Sequence, residues 1–156
     1  MIRKVNIYDM DGTIVCSLHR YRTIQTERGE VIDLEHWREF QHLAWNDSLL
    51  PLAQQYKEDL LNPETYVIIA TARVLARADM DFIRMRLGMP NHIISRKPES
   101  TVSGGVLKRK GLARFFNLKN FRGAEFTFYE DNVAYLKTVC DRFGIKGVYI
   151  SSKQGH

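Results

Sequence analysis

Short apolar runs alternate with longer amphipathic stretches along the whole chain. Val5-Asn6-Ile7-Tyr8 and Thr65-Tyr66-Val67-Ile68-Ile69-Ala70 are β-prone, and the second is almost wholly apolar, as a central parallel strand is. His92-Ile93-Ile94-Ser95, Glu125-Phe126-Thr127-Phe128-Tyr129 and Gly147-Val148-Tyr149-Ile150 predict further strands. Between them the spacing turns helical. Leu34, Trp37, Phe40 and Leu43/Ala44 follow Asp33 as an N-cap, and Leu49, Ala53, Tyr56 and Leu60 share one face of a helix from Ser48 to Leu61, with Pro51 tolerable in its first turn. Ala76, Met80, Ile83 and Leu87 mark a helix closed by Gly88. Val106 opens another whose apolar face continues through Leu112, Phe115 and Phe116, and Val133, Leu136, Val139, Cys140 and Phe143 mark the last, ended by Gly144. Trp37 and Trp45 are read as core. Strands alternating with helices predict an α/β fold, a three-layer sandwich around a central parallel, Rossmann-like sheet.

Composition narrows this picture. A chain of 156 residues is long enough to bury a core without staples, and no repeat or linker divides it, so residues 1–156 are expected to form a single domain. Cys16 and Cys140 belong to no CxxC pattern, in keeping with a reducing compartment, and Cys140 is expected as a small core residue. Neither a membrane span nor a signal peptide is legible, so a cytoplasmic protein is expected. The formal charge of +5 and pI of about 9.3 suggest polyanionic company, nucleic acid or nucleotides.

Candidate chemistry centres on Asp9-Met10-Asp11-Gly12-Thr13, directly after the first strand, where α/β sheets place their sites. Two aspartates two residues apart can act differently if their surroundings differ, one as nucleophile and metal ligand, the other exchanging protons. Gly12 lets the backbone turn between them.

The pentapeptide and its strand resemble motif I of the haloacid dehalogenase (HAD) phosphohydrolase superfamily. That resemblance demands three further features, and each occurs in order: Thr71-Ala72-Arg73 after the second long strand, a Lys near a later helix start, and Glu130-Asp131 after the fourth strand. Lys108 is favoured for the lysine over Lys110 and Lys97. A nearer likeness, to phage-type polynucleotide 3′-phosphatase and HAD-like RNA-repair domains, is carried by Thr71-Ala72-Arg73, Val106-Leu107-Lys108 and Tyr129-Glu130-Asp131-Asn132. Two departures stand out: Ala72 where some relatives have Gly, and Glu130 where many have a second Asp.

The resemblance implies a Mg²⁺-dependent phosphatase with Asp9 as nucleophile and Asp11 as acid and base. Lys108, Thr71 and Arg73 would stabilise the phosphoryl oxygens, and Asp9, the Asp11 carbonyl, Glu130 and Asp131 would hold the metal. Residues 14–62 would form a flap and helical insert of the same domain, and the Arg96–Gly105 loop leaves a minimal cap or none, hence an open cleft. Such a cleft, with Arg20, Arg22, Arg96 and Lys97 close by, suits a phosphorylated nucleic-acid end. The alternatives are a nucleotidase acting on free nucleoside monophosphates and a non-catalytic basic binding module.

Overall fold

A computed structural model describes residues 1–20, 22–27 and 29–151; Arg28 and the polar tail beyond Ser151 lie outside them. β1 (Lys4–Tyr8) is followed by a tight loop and β2 (Val15–Cys16). A short 3-10 turn, Leu18–Arg20, leads to the hairpin of β3 (Thr23–Thr26) and β4 (Gly29–Ile32), then to α1 (Leu34–Glu39) and a 3-10 stretch, Gln41–Asn46. β5 (Ser48–Leu49) pairs antiparallel with β2, so residues 17–47 leave and rejoin the body through a short stem. The rest alternates regularly: α2 (Ala53–Leu60), β6 (Thr65–Ala70), α3 (Arg77–Phe82), β7 (His92–Ile94), α4 (Gly104–Leu112), β8 (Glu125–Glu130), α5 (Val133–Phe143) and β9 (Lys146–Tyr149).

The main sheet has the order β7-β6-β1-β8-β9, and every pairing in it is parallel. Its faces follow from the two-residue period of a strand. Tyr8, Val67 and Ile69 point to one side, where they pack with Tyr56 of α2 and Phe82 of α3; Val5, Ile7, Ile68, Ala70 and Phe128 point to the other, with Leu112 of α4 and Val139 of α5. Each fully buried large apolar side chain contributes about 1.5–3 kcal/mol, so two such layers fix the strand register firmly. β1 is flanked by β6 and β8, the two halves of the chain, so the strand order reverses at its C-terminal end and opens a crevice there.

The expected three-layer α/β architecture is present. Local differences have physical causes. The helix predicted over Ser48–Leu61 begins only at Ala53, because Ser48–Leu49 pairs with Val15–Cys16 and the Leu50 N–H donates to the Ile14 carbonyl. The amphipathic run from Asp33 breaks after Glu39, although Asp33 does cap it, accepting from the His36 N–H. The stretch expected to form a flap contains the β3–β4 hairpin. Trp37 is buried as expected, whereas Trp45 is 46% exposed and Cys140 only half-buried. Among the described residues no helix is long and apolar enough to cross a membrane.

Candidate active site

The Asp9 N–H donates to the Tyr129 carbonyl, carrying the β1–β8 ladder one residue further. The chain then doubles back: the Met10 carbonyl accepts from the N–H groups of Thr13, Ile14 and Val15, and Gly12 adopts φ +81°. That conformation is cheap for glycine and strained for other residues. The turn sends the two aspartate side chains to different partners.

Asp9 is clamped by Lys108 and Thr13. The Lys108 ammonium donates to Asp9 Oδ1 at 2.8 Å and to Glu130 Oε2 at 2.6 Å, and the Thr13 hydroxyl donates to Asp9 Oδ2 at 2.9 Å. Lys108 is fully buried. Burial opposes its charge, but Asp9 and Glu130 outweigh this and raise its pKa above the ordinary lysine value. Lys97 and Lys110, the other candidates, are exposed. Delivery of Lys108 depends on α4 lying close to α5. A Cβ on Gly104 would stand 2.6 Å from the Tyr135 ring, and one on Gly105 3.2 Å from Thr138, so the glycines serve helix contact. Ser103 caps α4, accepting from the Val106 N–H.

Asp131 completes the group. Asp9, Glu130 and Asp131 each offer a carboxylate oxygen, and these lie within 4.8 Å of one another. Burial and the Asp9 charge raise the pKa of Glu130 and Asp131 above the usual carboxylate range. Hard oxygen donors crowded together in this way fit a divalent cation such as Mg²⁺, whose charge would offset their repulsion. Glu130 is held at both oxygens, by Lys108 and by the Asn132 N–H at 3.2 Å.

Asp11 faces a second group. Arg73 grips it in a fork, Nε to Oδ2 at 2.8 Å and Nη2 to Oδ1 at 2.5 Å, and the Ser17 hydroxyl donates to Oδ1 at 2.7 Å. The Arg73 guanidinium, expected to donate to phosphate, is 5% exposed at residue level and also bonds Asp47 and Asp79. Burial lowers its pKa, yet Asp11, Asp79 and Asp47 more than reverse this, so the net direction is up. Thr71 is buried at the end of β6, its hydroxyl oxygen accepting from the Arg73 N–H at 3.1 Å. The structure therefore brings Asp9, Lys108, Glu130 and Asp131 into one cluster and Asp11 with Arg73 into another, and both line one cavity of about 840 Å³.

Val31 and Leu34 of the insert and Pro98 and Val102 of the 96–103 loop also line the cavity, all of them exposed. Arg96 braces that loop, donating to the carbonyls of Ala72, Ser100 and Val102. Arg20, expected as a cation beside the cleft, is 1% exposed and paired with Asp47 and Asp79. Asp47 and Asp79 carry no sequence signal as site residues. Asp47 stands between the 3-10 stretch and β5, and Asp79 lies in α3 two residues before the half-buried Asp81.

The architecture is that of haloacid dehalogenase-superfamily hydrolases, as the motif resemblance implied. A HAD-like hydrolase from Streptococcus pneumoniae superposes with a TM-score of 0.67 at 13% identity, covering 99% of this chain and 87% of that one. A chain of the Pnkp1/Rnl/Hen1 RNA repair complex gives 0.61 at 15% identity, over 96% of this chain and 42% of that one. By sequence the chain belongs to the Bacteriophage T5 5′-deoxynucleotidase family, which it matches over residues 1–148. The 5′-deoxynucleotidase of Escherichia phage T5 is 34% identical over 86 residues, 53% of this chain and 35% of that protein, so the match spans about a third of that relative's length.

Proposed function

We propose that the protein is a Mg²⁺-dependent phosphomonoesterase that works through an aspartyl-phosphate on Asp9 and acts on deoxynucleoside 5′-monophosphates. The observation that carries the chemistry is the buried Lys108 bridge between Asp9 and Glu130, beside Asp131 and across one cavity from Asp11. Asp9 attacks phosphorus in line while the bond to the ester oxygen breaks. Asp11 gives that oxygen its proton, then takes one from the water that attacks the aspartyl-phosphate, which frees inorganic phosphate and restores Asp9. Lys108 offsets charge on the nucleophile and the phosphoryl oxygens, with the Thr71 hydroxyl as a further donor. Asp9, Asp131 and the Asp11 carbonyl would hold Mg²⁺, with Glu130 alongside, and the ion would supply charge neutralisation and orientation there. Arg73 acts through Asp11 rather than on phosphate, because its guanidinium is already committed to carboxylates.

Two observations favour a free nucleotide over a nucleic-acid end. Arg20 and Arg96, two of the four cations expected around the cleft, are committed to Asp47 and Asp79 and to main-chain carbonyls, which halves the basic rim available to a polyanionic chain. Family membership points the same way, through a relative named for acting on deoxynucleotides. The test is phosphate release, with Mg²⁺ and with EDTA, from deoxynucleoside and nucleoside 5′-monophosphates, 3′- and 5′-phosphorylated oligonucleotides and p-nitrophenyl phosphate. Deoxynucleoside monophosphates should give the highest kcat/KM. A clear preference for oligonucleotide ends would replace this reading with a polynucleotide phosphatase, and no turnover of any substrate would leave a binding module.

A further inference from the structure

Behind Asp11, Arg73 enters a network of buried charges whose other members the chemistry above does not use, with the part-exposed His19 at its edge, 3.4 Å from Asp47. Asp47 binds both arginines: Arg20 Nε donates to its Oδ1 and Arg20 Nη2 to its Oδ2, each at 2.9 Å, and Arg73 Nη2 donates to Oδ2 at 3.0 Å. Asp79 accepts from Arg73 Nη1 at 2.6 Å and from Arg20 Nη2 at 3.3 Å. The Trp37 ring lies under both guanidinium groups, its centroid 4.1 Å from Arg20 Cζ and 5.0 Å from Arg73 Cζ. Arg20, Trp37 and Asp47 all belong to the insert, whereas Arg73 follows β6 and Asp79 sits in α3.

Burying this many charges is an expensive way to hold an insert, since well-packed apolar groups of similar volume stabilise as well or better. What apolar packing cannot do is fix a guanidinium plane. Arg73 reaches Asp11 through two parallel bonds, a geometry that holds only if the plane is set, and Asp47 and Trp37 constrain that plane from a bond and a face. From this geometry we infer that Asp47 and Trp37 are positioning residues of the insert, which orient Arg73 and through it aim Asp11 at the leaving-group oxygen. The inference rests on the phosphatase reading. It makes the insert part of the acid–base machinery as well as a wall of the cavity.

Asp47→Asn is the cleanest probe, because it keeps shape, whereas Asp79 also caps α3 through the Ala76 N–H. The readout is leaving-group release in the first turnover, compared between a deoxynucleoside 5′-monophosphate and p-nitrophenyl phosphate. The alkoxide of the first needs a proton as it departs; the nitrophenolate of the second does not. Asp47→Asn should lower the ratio of the two rates by about tenfold to a hundredfold, within the range of general acid catalysis. Added to Asp11→Asn it should change that ratio no further, since both act through one group. Trp37→Leu should lower the ratio in the same direction, and Trp37→Phe should restore part of it. Equal loss on both substrates, an unchanged ratio, or full additivity with Asp11→Asn overturns the inference while the phosphatase reading stands. A wild-type protein that hydrolyses neither substrate overturns both.

Discussion

Lys108 and Asp9 are 99 residues apart in sequence, and their side chains meet at 2.8 Å with the ammonium fully buried. Glu130 closes the bridge from the other side. Lys108 is the counter-charge to both carboxylates, and losing it leaves two buried negative charges side by side, so the site ties the stability of the fold to its chemistry.

Lys108→Met should therefore cost about 3–5 kcal/mol, the usual loss when one partner of a buried pair is removed. Saturating Mg²⁺ should recover part of it by replacing the missing positive charge. Thermal melts with Mg²⁺ and with EDTA measure this. A variant as stable as wild type in EDTA would mean that the bridge contributes nothing to stability.

Mg²⁺ should also stabilise the wild-type protein, by about 2.7 kcal/mol at a hundredfold excess over Kd. Asp131→Asn should weaken this shift strongly and Glu130→Gln less, since both Glu130 oxygens already have partners. Differential scanning calorimetry against Mg²⁺ concentration checks it. An Asp131→Asn protein that responds to Mg²⁺ like wild type removes Asp131 from the metal site.

Asp9→Asn should abolish turnover and leave no acid-stable phosphoenzyme after denaturing quench, while melting near wild type in Mg²⁺-free buffer. Asp11→Asn should still form the phosphoenzyme from p-nitrophenyl phosphate and accumulate it, because hydrolysis has lost its base. Quench-flow with labelled substrate separates the two. Phosphate release at the wild-type rate from Asp9→Asn would end the covalent mechanism.

Gly104→Ala should destabilise by about 1–3 kcal/mol, the common cost of an extra methyl in a packed contact, because its Cβ would meet the Tyr135 ring at 2.6 Å. The same substitution in a Tyr135→Leu background should cost little. Urea melts of the two pairs give the difference, and equal penalties in both backgrounds would place the clash elsewhere.

Salt should distinguish the substrates. Kd for a nonhydrolysable deoxynucleoside monophosphate analogue should change little between low and moderate salt, because few phosphates are neutralised. Of the four cations first considered as a basic rim, Arg22 is exposed and paired with Asp33 at 3.2 Å, and Lys97 is exposed. An oligonucleotide that binds more tightly than the mononucleotide, with a steep salt slope, would contradict the free-nucleotide reading.

The sheet was legible in the sequence because its strands carry their own signal: Thr65–Ala70 is apolar at nearly every position, and Asp9, Thr71 and Glu130 each stand where such a run ends. Lys108 was legible only through the family resemblance, since a lysine in a basic first turn looks like any solvated residue. The glycines before it let two helices touch. Least legible was the insert. Arg20 and Arg96 look like surface cations until their partners are known, and those partners, Asp47, Asp79 and the Ala72 carbonyl, are distant in sequence. Periodicity reports which residues face a core, and it is silent about charges that bury one another.

The two-residue stem of Val15–Cys16 against Ser48–Leu49 brings the ends of the insert side by side. A segment anchored in this way can be exchanged between relatives as a cassette without rethreading the sheet, and a new substrate pocket could be acquired in one step. The buried ion network sets the terms of such an exchange. Arg20, Trp37 and Asp47 travel inside the cassette while Arg73 and Asp79 stay with the body, so a transplanted insert would have to bring matching charges with it. Without them the graft would leave Arg73 buried with fewer counter-charges and loosen its hold on Asp11.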